Sequence, residues 1–146
     1  MQRHQVLIKF YDVAERIKNS RYEVSHDVKI DETIGLIQQL RLPHSAKKLL
    51  TMLYDHEVLN QRTIAKKMNI SSQAVSELVK KLIQKELIIK ESGLQKNENL
   101  ISLTPLGKKV AIKLNELIVN HAEMVLKELE DDEVEKLHEL LNKLLC

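Results

Sequence analysis

Six polar side chains between residues 71 and 82 are of types that hydrogen-bond to base edges or pair with phosphates. They are Ser72, Gln73, Ser76, Glu77, Lys80 and Lys81. Serine and glutamine both donate and accept hydrogen bonds, and glutamine matches the two-point edge of adenine. Lysine supplies a point charge that attracts phosphate. The same residue types also solubilise an ordinary surface helix, so the elements that position them must be considered next.

The apolar residues of this segment recur at spacings of three and four. They are Val75, Leu78, Val79 and Leu82. This spacing predicts a helix over 71–85 with one buried stripe, which leaves the polar set on the outer face. Ser71 is the expected N-cap, since its oxygen can accept from a first-turn N–H group. A first turn without bulky side chains can approach base edges in a major groove about 12 Å wide.

A shorter helix and a hairpin are predicted on either side of this element. Asn60 is expected to cap the helix QRTIAKKM, and Asn69 to end it in the left-handed conformation that asparagine tolerates. Downstream, LIIK and LISLT flank the polar segment ESGLQKNEN, which predicts two strands and a turn. Two short helices followed by a hairpin are the order of a winged helix-turn-helix.

Amphipathic helices are predicted around this module. Ser45 is the expected cap of the helix over 46–55, and the pair Thr104–Pro105 is expected to start the helix over 105–129. The helices are expected over residues 2–19, 33–40, 46–55, 105–129 and 131–145. Residues 21–32 are interpreted as a loop or an irregular helix. The expected fold is mainly α with a small β-hairpin wing: a winged helix-turn-helix over 41–104, flanked by helical dimerisation regions over 1–40 and 105–146.

Composition and charge agree with a helical protein that meets a polyanion. Only three glycines, two prolines and 3% aromatic residues among 146 disfavour a β-sandwich or a glycine-rich nucleotide-binding sheet. The net charge of +2 conceals an uneven distribution. Residues 41–90 hold ten basic and four acidic residues, whereas 121–146 hold three and eight. The middle of the chain therefore suits nucleic acid and the C-terminal part would repel it.

Other classes of function find little support in the residues. There is no nucleophile-elbow serine and no glycine-rich phosphate loop, so we predict that the chain is not an enzyme. The six histidines show no i, i+4 pair and Cys146 is the single cysteine, so no metal or other cofactor is expected. The lone cysteine favours a reducing compartment, and no segment reaches the ~20 apolar residues of a membrane span. We therefore expect a cytoplasmic protein.

The stretch LLTMLYDHEVLNQRTIAKKMNISSQAVSELVKKLIQKELIIKESG, with ENLISLTPLGKKV after it, resembles the MarR family of bacterial transcription regulators. The family's L-T-x-x-G motif is matched by Leu103, Thr104 and Gly107. The resemblance implies a homodimer that binds a pseudo-palindromic operator in double-stranded DNA, with 71–85 as recognition helix and 92–99 as wing. The DNA-contacting residues it implies are Ser71, Ser72, Gln73, Ser76, Glu77, Lys80, Lys81, Lys96 and Asn97.

The chain departs from the family pattern at two places. Where the family wing commonly holds Asp-x-Arg, this chain has Gln95, Lys96 and Asn97. Lys96 could supply the electrostatic part of a minor-groove contact, and Asn97 could reach A·T acceptors. Glu86 stands where family members often place a glycine after the recognition helix, which predicts a less sharply capped helix end.

The resemblance also implies a small aromatic or lipophilic effector bound in a cleft. Five residues could line such a cleft, although core packing is the expected role of each: Phe10, Tyr11, Met52, Tyr54 and Met124. We expect a homodimeric regulator, more specifically a repressor released by this effector. The alternatives are a winged-helix protein that acts through a protein partner, and a monomer whose flanking helices cover one another. RNA binding is disfavoured, since an aromatic stacking platform is missing.

Overall fold

A computed structural model of the chain describes residues 1–20 and 32–145. The protein forms two compact units. The first combines Met1–Val28 with Leu117–Cys146, and the second is Lys29–Glu116. The segment interpreted as loop or irregular helix lies outside the described residues except for Glu32, and Cys146 lies outside them as well.

The described residues form seven helices and three strands, and the fold is mainly α as predicted. In chain order the elements are α1 (Arg3–Ser20), α2 (Glu32–Leu40), α3 (His44–His56), β1 (Val58–Asn60), α4 (Gln61–Met68), α5 (Ser72–Gln84), β2 (Ile88–Ser92), β3 (Asn99–Leu103), α6 (Pro105–Val125) and α7 (Asp131–Leu145). The second unit therefore contains more than the predicted segment 41–104, since it also takes in α2 and the first half of α6.

Two predicted helix ends are wrong. Helix α3 begins at His44 with Pro43 as its N-cap and no side-chain hydrogen bond there, so Ser45 lies inside the first turn and does not cap it. Proline fixes φ near the value that the start of a helix needs, which makes a side-chain cap dispensable. Helix α6 ends at Val125, and Leu129 lies in the turn that follows. The apolar spacing continues through this turn, so periodicity alone could not reveal the break.

The sheet contains one strand more than the predicted hairpin. Strands β2 and β3 pair antiparallel as expected, with Ser92 opposite Asn99 at the turn. Strand β1 adds to the other edge of β3, with Leu59 opposite Ile101, which gives the order β1-β3-β2. A three-residue strand is too short to show a period of two, so the sequence carried no usable signal for β1.

The core of the second unit is built from the buried stripes of its helices and the inner face of its sheet. The stripe of α5 is buried as predicted, with all four of its members between 0% and 7% exposed. The largest fully buried side chains are Leu49, Leu50, Leu53, Ile64, Leu82, Leu87, Ile88, Ile101, Val75 and Val110. Helix α5 is therefore held from behind while its other face remains in solvent.

The L-T-x-x-G motif joins the end of α5 to the start of α6. Thr104 Oγ1 donates a hydrogen bond to the carbonyl of Glu86 at 2.7 Å and accepts one from the N–H of Gly107 at 2.9 Å. The N–H of Thr104 donates to the carbonyl of Leu87 at 3.1 Å. A Cβ on Gly107 would lie 1.8 Å from that same Leu87 oxygen. Only glycine permits the two backbones to approach this closely.

Glu86 adopts a left-handed conformation, at the position where the family pattern often has glycine. Its φ is +61°, and its N–H donates to the carbonyl of Ile83 at 2.9 Å. The helix end is therefore closed as it would be with glycine, but a side chain with a Cβ pays a steric cost there. Asn69 adopts the same conformation at the end of α4, with φ +54° and ψ +49°, as predicted.

The first unit is helical and leaves most of its apolar side chains in solvent. Every residue of α1 whose side chain is described is exposed, and α7 buries none of its residues. Leu7 is 52% exposed, Ile118 54% and Leu144 69%. Within the described part of the chain, no helix combines the length and apolar character needed to cross a membrane.

Candidate nucleic-acid interface

The candidate interface is centred on α5, and both α5 and the preceding helix α4 begin at a side-chain N-cap. Ser71 Oγ accepts a hydrogen bond from the N–H of Ala74 at 3.1 Å, which confirms it as the N-cap. Asn60 Oδ1 caps the preceding helix by accepting from the N–H groups of Arg62 at 2.8 Å and Thr63 at 3.2 Å. The turn through Asn69 then sets the angle between α4 and α5. Each of these assignments follows the capping chemistry expected from the sequence.

The six outer residues of α5 lie where the spacing predicted. The buried stripe lies behind them. The six residues, all exposed to solvent, are Ser72, Gln73, Ser76, Glu77, Lys80 and Lys81. The first turn presents only small or flexible polar side chains, with the two lysines one turn or more behind it. The structure thus brings the predicted reading residues together on one face, while their contact with DNA stays a prediction.

One residue of this surface escaped sequence analysis. Gln61, the first residue of α4, donates a hydrogen bond from Nε2 to Ser76 Oγ at 2.8 Å. The other end of its amide, Oε1, is buried and has no hydrogen-bond partner in the described part of the chain. The two residues are fifteen positions apart, so the contact depends on the crossing of α4 and α5 and left no periodic signal.

The wing is a tight, internally bonded turn beside the start of α4. The N–H of Gly93 donates to the carbonyl of Glu98 at 2.8 Å, and Glu98 Oε2 accepts from the N–H of Gln95 at 3.2 Å. Asn97 has a φ of +64°, a conformation that asparagine tolerates better than most residues. Lys96 is exposed at the turn. The two predicted wing residues thus have different local roles, since Asn97 also shapes the turn.

A cavity of about 40 Å³ separates the wing from the first turn of α4. Its lining comes from the α4 start and the wing: Asn60, Gln61, Arg62, Gln95, Lys96, Asn97, Glu98 and Asn99. Arg62 is exposed and lines this cavity together with a wing that has no arginine of its own. Sequence analysis counted Arg62 in the basic segment but could not place it beside Lys96.

The end of α5 is anchored as well. Lys85, its C-cap residue, donates a hydrogen bond from Nζ to the carbonyl of Leu40, the last residue of α2, at 3.1 Å. A cation at a helix C-terminus interacts favourably with the helix dipole. Lys85 is therefore engaged in a hydrogen bond to another element of the chain, and Lys80 and Lys81 are the lysines on the outer face of α5.

The five residues predicted to line an effector cleft are divided between the two units. Met52 packs against the core of the second unit, where Tyr54 is half exposed. Phe10 and Tyr11 are exposed on α1 in the first unit. The first unit has an open cavity of about 640 Å³, and Met124 is the member of the predicted set that lines it, beside Asp12, Glu15, Arg16, Asn19, Val125 and Lys127. Their joint role in one cleft stays a prediction.

Among residues 1–20 and 32–145, no three His, Cys, Asp or Glu side chains are grouped so that they could hold a metal ion. The candidate functional surface among the described residues is the polar and basic face of α5 with the adjoining wing. Its side chains supply hydrogen-bond donors, hydrogen-bond acceptors and positive charge. These are the groups that contact base edges and phosphates.

Comparisons with known proteins agree with this arrangement. Residues 42–95 match the sequence model of the MarR family. A mutant of Escherichia coli MarR complexed with operator DNA has a similar fold, with a TM-score of 0.69 and 17% identity over 100% of both chains. The Staphylococcus aureus MepR–DNA complex has a TM-score of 0.66 and 25% identity over 78% of this chain and 84% of that one.

A third structure concerns regulation. Bordetella bronchiseptica BpsR, described with a mechanism for regulation of its DNA binding by 6-hydroxynicotinic acid, has a TM-score of 0.71 and 16% identity over 97% of this chain and 99% of that one. No curated protein matches the chain in sequence. The family match covers α3 to the wing turn, the segment that contains the caps at Asn60 and Ser71 and the outer face of α5. Residues 42–95 therefore match the MarR family, and the chain is similar in fold to these DNA-bound MarR and MepR structures.

Proposed function

We propose that this protein is a homodimeric, sequence-specific regulator that binds a pseudo-palindromic operator through α5, and that it acts as a repressor released by a small aromatic or lipophilic effector. The observation that carries the proposal is the outer face of α5. Its exposed residues over 72–81 are all polar, its helix is capped at Ser71, and a buried apolar stripe supports it from behind. A helix of this kind can enter a major groove without burying an apolar group against the bases.

The division of labour on α5 follows from side-chain chemistry. Gln73 and Ser76 lie in its first two turns and offer both donors and acceptors, so we assign them to base edges, with Gln73 suited to adenine. Glu77 accepts only, which suits the N4 amino group of cytosine. Lys80 and Lys81 lie further along and would pair with phosphates, which fixes register and does not read sequence.

The wing would contribute mainly charge. Lys96 is exposed at its tip, and Arg62 lies beside it at the start of α4. Two cations on adjacent elements can contact neighbouring phosphates or the minor groove, where arginine and lysine are favoured. Asn97 can offer its amide to A·T acceptors. We therefore propose that the wing touches DNA although it has no arginine of its own.

Dimerisation is proposed from the first unit. No described side chain of α1 or α7 is fully buried, and apolar side chains along both helices remain in solvent. An exposed apolar surface of this extent marks an interaction site. A second copy is the proposed occupant, because paired recognition helices supply both affinity and half-site spacing for a palindromic operator.

Repression and effector release are the finer parts of the proposal. Occlusion of a promoter by a bound dimer needs no further contact with polymerase, which makes repression the simpler mode. A ligand that binds one dimer conformation better than another shifts the spacing of the recognition helices and so changes DNA affinity. The regulation of BpsR by 6-hydroxynicotinic acid supports an aromatic ligand class for this chain.

The decisive experiment is selection of bound duplexes from a random pool by the full chain, at low and near-physiological salt, with the mass of the protein measured in solution. We expect a dimer that enriches an inverted repeat with half-site centres about 34–36 Å apart, with binding that weakens steeply as salt rises. A dimer that enriches no motif would favour the alternative, in which the winged helix acts through a protein partner.

Individual roles are tested on the selected operator. Gln73→Ala should lower the preference for the selected base at one position of each half-site, by about fivefold to a hundredfold if the two-point contact to adenine is lost. Its binding to random DNA should change little. An equal loss on selected and random DNA would remove Gln73 from the base-reading role.

A further inference from the structure

We propose that Gln61 determines specificity indirectly, by fixing Ser76 as a hydrogen-bond donor toward the base that it faces. Gln61 lies on α4, outside the reading face, and acts through its contact with α5. The inference rests on the proposed function, since it concerns how the same surface distinguishes one base pair from another.

The contact has a defined direction. Gln61 Nε2 is the donor and Ser76 Oγ the acceptor, 2.8 Å apart. A serine hydroxyl has one proton and two acceptor lone pairs. Because the glutamine occupies a lone pair, the proton is left free to point away from α4. Ser76 is exposed to solvent, so its proton can reach a ligand in the groove.

A donor and an acceptor at this position prefer different base pairs. Guanine N7 and O6, adenine N7 and thymine O4 accept hydrogen bonds in the major groove, whereas the cytosine N4 and adenine N6 amino groups donate them. A free serine hydroxyl can rotate to suit either kind of edge. Because Gln61 occupies one lone pair of the Ser76 hydroxyl, Ser76 favours a base edge that accepts a hydrogen bond. It then tolerates less well the base edges that donate one.

Stability does not explain the presence of glutamine at this position. The amide oxygen of Gln61 is buried without a partner in the described part of the chain, which carries a desolvation cost. A methionine of similar length would fill the same space without that cost. Ser76 is exposed and could bond to water instead, so the contact serves the orientation of the hydroxyl more than the folding of the unit.

The test uses two substitutions: Gln61→Glu reverses the direction of the hydrogen bond, and Gln61→Met removes it. In Gln61→Glu the carboxylate can only accept, so the Ser76 proton must turn inward and the outward side of the hydroxyl can only accept. We expect the preferred base at one position per half-site to change to one that offers a donor. Affinity for the wild-type operator should fall about threefold to tenfold, the usual range for one hydrogen bond.

Gln61→Met removes the donor while it keeps the length of the side chain. The hydroxyl is then free to rotate, so discrimination at the same position should weaken by about twofold to tenfold, without a new preference. The salt dependence and the other operator positions should be unchanged. Selection from a pool randomised at that position, followed by titration of the resulting duplexes, measures both effects.

Three controls separate orientation from folding and from charge. Gln39→Glu adds the same carboxylate at an exposed position of α2 and should keep the wild-type preference. Thermal unfolding of each variant shows whether the second unit is intact. In a Ser76→Ala background neither substitution at Gln61 should affect discrimination, since no hydroxyl remains to orient.

The outcomes are distinct. A new preferred base for Gln61→Glu, together with loss of the Gln61→Met effect in the Ser76→Ala background, would establish the inference. An unchanged preference in folded Gln61→Glu, or a Gln61→Met effect that persists without Ser76, would overturn it. If Gln61→Glu does not fold, the Gln61→Met and Ser76→Ala cycle decides alone. A wild-type protein that selects no motif would instead refute the proposed function.

Discussion

The two units of this chain differ in how much of their own surface they cover. In the second unit, helices and sheet enclose a core in which ten large side chains are fully buried. In the first unit, α7 buries no residue and the described side chains of α1 are all exposed. Both are rich in leucine and isoleucine, so composition does not account for the difference. The second unit has a sheet on which its helices pack, whereas the described residues of the first unit form helices only.

The comparison indicates what each unit needs in order to be stable. A buried core stabilises the second unit within a single chain. Exposed apolar stripes on α1 and α7 contribute little until another surface covers them, and a second copy is the proposed partner. The stability of the first unit should then depend on protein concentration, whereas that of the second should not.

The largest effect is expected from Gly107→Ala, which should destabilise the second unit. The new Cβ would lie 1.8 Å from the Leu87 carbonyl oxygen, and neither backbone can move without breaking the Thr104 hydrogen bonds. We expect a loss of about 3 kcal/mol or more in the free energy of unfolding, at the upper end of overpacking costs. Urea denaturation followed by circular dichroism measures it.

The matched control is Gly35→Ala in α2, where nothing lies within 4 Å of the added Cβ. Alanine is the better helix former by roughly 1 kcal/mol, so this substitution should stabilise the protein slightly or leave it unchanged. If both variants lose similar stability, the close approach at Gly107 is not the cause.

The next largest effect is expected on dimerisation, which should depend on the first unit and not on the second. Leu7→Glu places a charge in the exposed apolar surface of α1, and it should weaken dimerisation by at least tenfold, since burying one leucine contributes about 1.5–3 kcal/mol. Sedimentation measures the dimer fraction over a range of concentrations. The second unit should keep its fold, because Leu7 lies outside it.

Val58→Glu provides the comparison for that experiment. Val58 is 50% exposed on β1 of the second unit, close to the 52% exposure of Leu7. The same change there should leave the dimer fraction as it is. A dimer that resists Leu7→Glu, or dissociates with Val58→Glu, would place the assembly surface elsewhere.

A smaller effect is expected at the end of α5. Glu86→Gly removes the Cβ from a residue at φ +61° and should stabilise the second unit by about 1 kcal/mol. The hydrogen bond from Thr104 Oγ1 is retained, because its acceptor is the backbone carbonyl of residue 86. Asn69→Gly, at a φ of +54°, should give a smaller gain, since asparagine tolerates the left-handed region. Equal gains at both positions would contradict a steric cost specific to Glu86.

The smallest effect concerns charge on the two units. Lys80→Ala should reduce the salt slope of DNA binding by about one and weaken binding to selected and random duplexes alike. Lys143→Ala, in the acidic last helix of the first unit, should leave the slope unchanged. Fluorescence anisotropy at four salt concentrations suffices. A base-specific loss for Lys80→Ala would assign it to reading instead of to phosphate.

The local elements around α5 could be read from the sequence because their causes are local. Caps at Asn60 and Ser71, the left-handed Asn69 and the four-residue apolar stripe depend on neighbours within one or two turns. The start of α3 and the end of α6 were wrong, because Pro43 and the turn after Val125 interrupt the helices without interrupting the apolar spacing.

The amino-acid sequence by itself determined the class of fold, the exposed polar face of α5 and the opposed charges of the two regions, since side-chain type and helical period decide these. Tertiary structure alone decided the third strand, the approach of Gly107 to Leu87, the position of Arg62 beside the wing and the bond from Gln61 to Ser76. Each of these depends on where one element crosses another, and crossing geometry is set by the packing of the whole core.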